Sequence, residues 1–293
     1  MTDATITSAL GAEARTDLAE TGWKRLAMHI LIFIIIIGGW ELAGVFNQLN
    51  DLLLPAPSVI AAKFVNMWLP TALGGTGRIY WHFFVTMFEA TAGFFIGVSI
   101  GVSLAVTAAI SPGFRRYIAP YAVAFNVTPG IAVTPLIIAW FGFGWSSKIA
   151  LATLVCFFAP FINTLTGLLH VDEEASELFR SMRASRKQFF LKLQLPSSMP
   201  LFIAGLKLAL TGALLGAVVA EFFSASEGVG ILMQRFAFKL DIGSALAALL
   251  SMSLMGLLFF TIMEILDYRV VYWKRDSRMQ AISKRRKANW NMD

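Results

Sequence analysis

Apolar positions along this chain occur in continuous blocks, and polar positions are gathered between them. Six apolar runs come close to or exceed the roughly 20 residues that a helix needs to cross a bilayer. They lie at about residues 26–46, 83–110, 118–141, 148–169, 201–223 and 243–267. None shows the residue-by-residue alternation of strands in a membrane barrel. The pattern therefore predicts an all-α integral membrane protein with six transmembrane helices.

Composition and charge agree with a membrane protein and add an orientation. Apolar residues make up 57% of the chain and charged residues 14%, whereas soluble domains are about a quarter charged. Most of the 24 Lys and Arg residues fall on one side of the runs, which predicts cytoplasmic termini. The net charge of +6 then reflects attraction to the anionic inner leaflet of the lipid bilayer and does not indicate nucleic acid.

These features divide the chain into three parts. Residues 1–25 are predicted to be a cytoplasmic N-terminal segment, 26–270 a transmembrane domain, and 271–293 a basic cytoplasmic tail. Within the domain, Gly93 and its neighbours at positions 97 and 101 are spaced four apart, as in helices that pack closely. Prolines in the third and fourth runs predict bent helices; these are Pro120, Pro129, Pro135 and Pro160.

Polar side chains inside the apolar runs are candidates for a transport pathway or gate. They are Glu89, Asn126, Thr134, Asn163 and Glu221. A charge at the centre of a membrane helix costs roughly 2.5 to 3.5 kcal/mol, so the two carboxylates should face protein or a water-filled cavity. For these carboxylates, a structural pairing with a nearby Lys or Arg is as well supported as a role in a pathway or gate. For Asn126, Thr134 and Asn163, hydrogen bonding between helices is as well supported as a place in the pathway.

The polar segment between the fourth and fifth runs, residues 171–196, carries the clearest local pattern. Acidic residues come first and basic residues follow, which matches the helix dipole and predicts a helix over 172–182. Ser185 and Gln188 have the spacing of a capping box, so a second helix should begin at 186. Pro196 is expected to end it.

The predicted helix pair would present apolar side chains beside basic ones on the cytoplasmic side. Phe179 and Met182 are among the apolar side chains, and Arg186 and Lys187 among the basic ones. Such a mixture is typical of a surface that docks a partner protein. The alternative is a helix pair that rests on lipid headgroups.

The spacing in this segment resembles that of the permease subunits of binding-protein-dependent ATP-binding-cassette (ABC) importers. Their cytoplasmic loop reads Glu-Ala-Ala, three residues, Gly, nine residues, Ile, one residue, Leu-Pro. Here the matching positions are Glu177, Leu178, Phe179, Arg183, Leu193, Leu195 and Pro196. Arg183 in place of Gly is the main departure, because a residue with a side chain adopts a left-handed turn only at some cost.

Other stretches, over about residues 50–275, resemble the nitrate, sulfonate and taurine branch of these permeases. They include LLLPAPSVI, VTPGIAVTPLIIAWFGFGWSSK and VVAEFFSASEGVGILM. That branch also contains permeases for pyrimidine precursors and other small organic molecules. Glu89 lies where the branch more often carries a basic residue, so any role for it is not inherited.

The resemblance implies a type I ABC importer permease fold and a set of partners. These would be a second permease copy, cytoplasmic ATPase subunits and an outer solute-binding protein, in a bacterial inner membrane. The residues that would couple to the ATPase are Glu174, Glu177, Phe179, Met182, Arg183, Ala184, Ser185 and Arg186.

The motifs missing from the sequence agree with a permease whose ATPase is a separate subunit. It contains no Gly-x4-Gly-Lys-Ser/Thr phosphate loop and no HExxH or Cys/His cluster. We therefore expect no enzyme activity, no metal and no cofactor in this chain, with ATP and magnesium in the partner. The expected function is a permease that moves a small solute inward by alternating access. A proton-coupled secondary carrier using Glu89 or Glu221 is the main alternative, and a scaffold or membrane-bound enzyme is a third.

Overall fold

A computed structural model describes residues 23–24, 26–44, 46, 54–69, 79–224 and 226–271. Regular structure in these residues is helical. The helices are α1 Leu26–Gly44, α2 Pro57–Trp68, α3 Ile79–Ile110, α4 Pro112–Val127, α5 Gly130–Phe141, α6 Trp145–Cys156, α7 Phe158–Leu169, α8 Glu173–Ser181, α9 Arg186–Phe189, α10 Leu195–Ser224, α11 Val229–Phe238 and α12 Ile242–Val270.

Five helical segments are long and apolar enough to cross a membrane, and the bent pair α4 and α5 makes a sixth crossing if it counts as one span. The prediction of an all-helical membrane protein is confirmed. The predicted segment 1–25 and tail 271–293 lie almost wholly outside the described residues. The cytoplasmic location of both ends stays a prediction.

Small residues bring the central helices into close contact. α3 packs against α6, α7 and α10, and the glycines predicted for close packing lie at these contacts. A Cβ atom added at Gly97 would lie 3.0 Å from the carbonyl oxygen of Thr153, and one at Gly101 would lie 3.1 Å from the amide nitrogen of Phe161. The buried core beside this stripe is also rich in alanine, for example Ala152, so the helix backbones can approach one another.

The third apolar run forms two helices that meet at a bend of 99°. Pro129 is the N-cap of α5, and Thr128 before it is extended, as is usual for a residue that precedes proline. Pro120 and Pro135 lie inside α4 and α5 instead. The predicted bending is confirmed for the third run, where one of the prolines accounts for the sharp change of direction. In the fourth run, Pro160 lies in the first turn of α7, and Trp145–Leu169 counts as one span without such a bend.

The prediction that Pro196 ends the second cytoplasmic helix is wrong. α9 continues through a π-helical turn, Phe190–Gln194, directly into α10. The Leu195 amide donates to the Phe190 carbonyl, five residues back. Pro196 therefore lies in the first turn after this wider turn, where its missing N–H is tolerated. The result is one continuous helix from Arg186 to Phe223.

Outside the central helices, α2 packs against α12. The Lys63 ammonium lies 3.5 Å from the Asp241 carboxylate, and Asp241 caps α12 by accepting from the Ser244 amide at 3.1 Å. Trp68 Nε1 donates to Ser251 Oγ at 3.0 Å. These contacts hold α2 against the first part of α12.

Candidate functional site

The helix pair α8 and α9 forms the first candidate site. Asp172 caps α8 by accepting from the Glu174 amide at 3.0 Å. Glu173 and Glu174 occupy the first turn and Arg180 the last, so the charges interact favourably with the helix dipole, as the sequence predicted. The observed helix, Glu173–Ser181, lies within one residue of the predicted one at each end.

A left-handed residue reverses the chain between the two helices. Arg183 has φ of 52°. Its amide donates to the Arg180 carbonyl at 2.9 Å, and the Ala184 amide donates to the Phe179 carbonyl at 3.0 Å. These are the two hydrogen bonds of a Schellman motif, which usually places Gly at the left-handed position. The chain thus keeps the turn that glycine favours, with an arginine in it.

The second helix begins where the capping box predicts. Ser185 Oγ accepts from the Gln188 amide at 3.3 Å, and Gln188 Oε1 accepts from the Ser185 amide at 2.8 Å. Each side chain therefore satisfies a backbone donor of the first turn. Phe179 and Phe189 meet edge to face, with centroids 6.2 Å apart, which fixes the two short helices against each other.

The helix pair leaves much of its surface uncovered. No residue of α8 or α9 is buried, and Met182 is 71% exposed. The eight predicted coupling residues all lie on α8, on the turn, or at the first position of α9. Those exposed are Glu174, Glu177, Met182, Arg183, Ser185 and Arg186, and those half-buried are Phe179 and Ala184. Exposed apolar groups beside basic ones are what a docking surface requires.

This surface is joined to the membrane helices without a flexible break. The continuous helix carries α9 into α10, which packs along α6 and α7. Gln194 Nε2 in the π-helical turn donates to the Leu168 carbonyl at the end of α7, at 3.1 Å. α9 is therefore continuous with α10 and bonded to the end of α7.

Two of the predicted gate residues meet at the other end of the bundle. Glu89 of α3 and Glu221 of α10 are 1% and 0% exposed, and their carboxyl groups lie near each other. Lys148 of α6 lies close enough to interact with both and is 2% exposed. The sequence suggested a basic partner without identifying it. Lys148 was missed because it directly follows a polar turn and looks like an interfacial residue.

The other three candidate residues do not join this cluster through the contacts that the structure shows. Thr134 is buried, and its hydroxyl donates to the Gly130 carbonyl at 3.0 Å. Asn163 donates to the Ala159 carbonyl at 2.9 Å, and Asn126 is exposed. Bonds to a carbonyl four residues back are local to one helix. A role in a pathway stays a prediction for all three.

Comparisons with known proteins agree with the geometry. The family described as "binding-protein-dependent transport system inner membrane component" matches residues 93–272. The putative aliphatic sulfonates transport permease SsuC of Bacillus subtilis is 28% identical over 92% of this chain and 94% of its own. The formylaminopyrimidine transport permease ThiX of Halalkalibacterium halodurans is 29% identical over 84% of this chain and 95% of its own.

A solved structure shows the same fold. A chain of the methionine ABC transporter MetNI, in inward-facing conformations, superposes with a TM-score of 0.58. The match covers 64% of this chain and 94% of that one, at 16% sequence identity. The predicted type I permease fold is confirmed.

Proposed function

The chain belongs to the family of inner membrane components of binding-protein-dependent transport systems, and on that premise we propose that it is the permease subunit of an ATP-driven importer. Family membership implies an ATPase partner and a solute-binding protein. We further propose that two copies of this chain pair in a bacterial inner membrane with both termini in the cytoplasm. ATP and magnesium would be bound by the ATPase, and this chain would carry no catalytic group.

The observation that carries the proposal is the exposed helix pair α8 and α9, which continues into α10. An ATPase that grips α8 and α9 could move α10 directly, because a helix transmits displacement along its axis. Such a link would let a nucleotide-dependent equilibrium bias the membrane helices between inward-open and outward-open states. Alternating access of this kind is the proposed mechanism.

The proposed solute is a small organic molecule, and an aliphatic sulfonate is the first to test. Relatives of this chain are named for aliphatic sulfonates and for formylaminopyrimidine. A nitrate-like or taurine-like anion and a small heterocycle are both within this range. The comparisons do not favour the proton-coupled secondary carrier.

Charge reversal on the helix pair tests the proposed coupling. Arg186→Glu places an acidic residue at the first position of α9, where the helix dipole favours it, so the fold should tolerate the change. Arg269→Glu, at an exposed position near the end of α12, is the matched control. Each variant would be reconstituted in liposomes with the ATPase and the solute-binding protein, and ATP hydrolysis and uptake would be measured together.

We expect Arg186→Glu to reduce uptake per ATP hydrolysed, or to release the ATPase from the membrane. Arg269→Glu should leave both unchanged. Equal coupled uptake in the two variants would remove the helix pair from the mechanism. Uptake driven by a proton gradient without ATP would instead establish the secondary carrier.

A further inference from the structure

A cavity of about 190 Å³ lies where α2, α3 and α11 meet. Its lining residues are Met67 of α2, Ile79 and His82 of α3, and Leu232, Arg235, Phe236 and Lys239 of α11. The cavity lies at the end of the bundle away from the helix pair α8 and α9, because α10 starts at that pair and runs 30 residues, about 45 Å, before the chain enters α11. Its volume is below the roughly 300 to 1,000 Å³ of pockets for drug-sized ligands, so it suits a smaller molecule.

One face of α11 gives the cavity its charge. Four residues have the spacing of neighbours on one face of a helix: Leu232, Arg235, Phe236 and Lys239. Arg235 and Lys239 are exposed, and like charges four residues apart repel each other. Within the described residues no carboxylate forms an ion pair with either of them, and Asp241 pairs with Lys63 instead, at 3.5 Å. An anion between Arg235 and Lys239 would therefore be stabilised by both.

The rest of the lining is largely apolar. Ile79 is 2% exposed, and Met67, Leu232 and Phe236 are half-buried. A short hydrocarbon chain in contact with these side chains would be removed from water, which favours its binding. A few polar groups in an otherwise apolar lining are typical of sites for small molecules, because the polar groups orient the ligand. The lining thus matches a molecule with an anionic head and a short apolar chain.

Hydrogen bonds hold the start of α11 in place beside the cavity. The three consecutive amides of residues 228–230 donate in turn to His82 Nδ1 at 2.9 Å, Thr86 Oγ1 at 2.8 Å and Glu221 Oε2 at 2.6 Å. Arg235 Nη2 donates to the Ser226 carbonyl at 3.0 Å, which uses one of the five N–H donors of a guanidinium. The charged face of α11 is therefore positioned in advance, which lowers the cost of ordering it when a ligand binds.

We propose that this cavity binds a small organic anion, with its charged head between Arg235 and Lys239 and its short apolar chain against the apolar lining. An alkanesulfonate has this chemistry. The inference rests on the proposed import of a small organic molecule, and it adds the residues that would receive the solute at the end of the bundle away from the ATPase. An anionic phospholipid headgroup shares the charged head, and the cavity volume favours the free solute.

Protection of a thiol in the cavity tests the binding. Leu232→Cys would place a thiol on the same face as the two cations, and Cys156, the single cysteine of the chain, is fully buried. The full chain would be assembled with its ATPase in phosphatidylcholine nanodiscs. It would be labelled with N-ethylmaleimide, which is neutral, and labelling of the α11 peptide would be followed by mass spectrometry.

Butanesulfonate is the probe for this measurement. Sulfate lacks the apolar chain and butanol lacks the charge, so these two compounds separate the contributions of the lining. We expect butanesulfonate to slow the labelling at a lower concentration than either of them. Equal protection by sulfate or by butanol, or no protection by butanesulfonate, would overturn the proposal.

Lys239→Gln tests the contribution of the charge. Lys239 is exposed and follows the last residue of α11, so the fold should tolerate the change. Arg269→Gln is the matched control, because it removes the same charge from an exposed position at the far end of α12. We expect the concentration of butanesulfonate that halves the labelling rate to rise roughly threefold with Lys239→Gln, since one exposed charge contact is lost. It should be unchanged with Arg269→Gln.

Lys239→Glu extends this series. The charge then changes by two, and the new carboxylate lies four residues from Arg235 and pairs with it. The half-protecting concentration should therefore rise roughly tenfold, about the square of the effect of Lys239→Gln. The same half-protecting concentration in Lys239→Gln, Lys239→Glu and Arg269→Gln would refute the role of the cations.

Lipid composition separates the free solute from a phospholipid headgroup. We expect butanesulfonate to protect the thiol in nanodiscs of phosphatidylcholine alone. Protection that occurs without any sulfonate, and only when phosphatidylglycerol is included, would overturn the proposal in favour of an anionic headgroup.

Uptake into liposomes distinguishes failure of this inference from failure of the proposed function. ATP-driven uptake by the wild-type assembly, with no protection of the thiol by butanesulfonate, would reject the site and leave the importer intact. Protection that weakens with Lys239→Gln, in an assembly that shows no ATP-driven uptake, would support the site and reject the importer.

Discussion

Replacing Arg183 by Gly should strengthen the turn between α8 and α9. A residue with a side chain pays roughly 1 to 2 kcal/mol in the left-handed conformation, and Arg183 adopts it with φ of 52°. Arg183→Ala is the matched variant, since it removes the long side chain but keeps the backbone cost. Glycine also has greater conformational freedom when the turn is open, which offsets part of this gain. We therefore expect the closed turn to be more stable with Gly than with Ala by about 1 kcal/mol.

Amide hydrogen exchange can measure this difference in the full chain in lipid nanodiscs. The Ala184 amide donates across the turn to the Phe179 carbonyl, so its protection reports opening of the turn. A difference of about 1 kcal/mol corresponds to roughly fivefold greater protection in Arg183→Gly than in Arg183→Ala. The Phe189 amide, which donates to the Ser185 carbonyl at 2.9 Å, is an internal control that neither variant should change. Protection of Ala184 that is equal in the two variants, or greater with Ala, would refute the assignment of strain to this residue.

Two further predictions concern packing and pH. A Cβ atom at Gly216 would lie 2.8 Å from Ala152 Cα, so Gly216→Ala should destabilise the bundle by about 1 to 3 kcal/mol and lower its thermal unfolding temperature in detergent. Gly113→Ala is the control, because nothing lies within 4 Å of the added atom, and it should not lower that temperature. Burial raises the pKa of Asp241, but hydrogen bonds from Ser244 and the nearby lysine outweigh this effect and hold the pKa below its ordinary value. The stabilisation by Asp241 is therefore full above the unfolded-state pKa and is lost as the pH falls through the lowered one. Unfolding temperatures measured against pH should show a smaller loss on acidification for Asp241→Asn, and an unchanged acid dependence would contradict this account.

The sequence alone determined the features that depend on residues close together in the chain. Hydrophobic run length identified the membrane helices because a helix must satisfy its own backbone in lipid. The order of acidic and basic residues located α8, and the spacing of Ser185 and Gln188 located the start of α9. Each signal acts within one or two helical turns, so it can be read without knowing the fold. The helix pair α8 and α9, which is built from such signals, was predictable from the sequence, and the coupling role of its residues stays a prediction.

Tertiary structure decided the features that depend on how the helices pack. Glu89, Lys148 and Glu221 come from three different helices, and their meeting depends on the rotation and depth of each helix in the bundle. The continuation of the helix past Pro196 also depends on packing. The hydrogen bond from Gln194 to the Leu168 carbonyl holds the π-helical turn before Pro196 against α7. A periodic pattern shows that a residue faces protein, but only the packed bundle fixes which side chain it meets there. For that reason the sequence indicated that the two carboxylates face protein, and only the fold placed Lys148 near both of them.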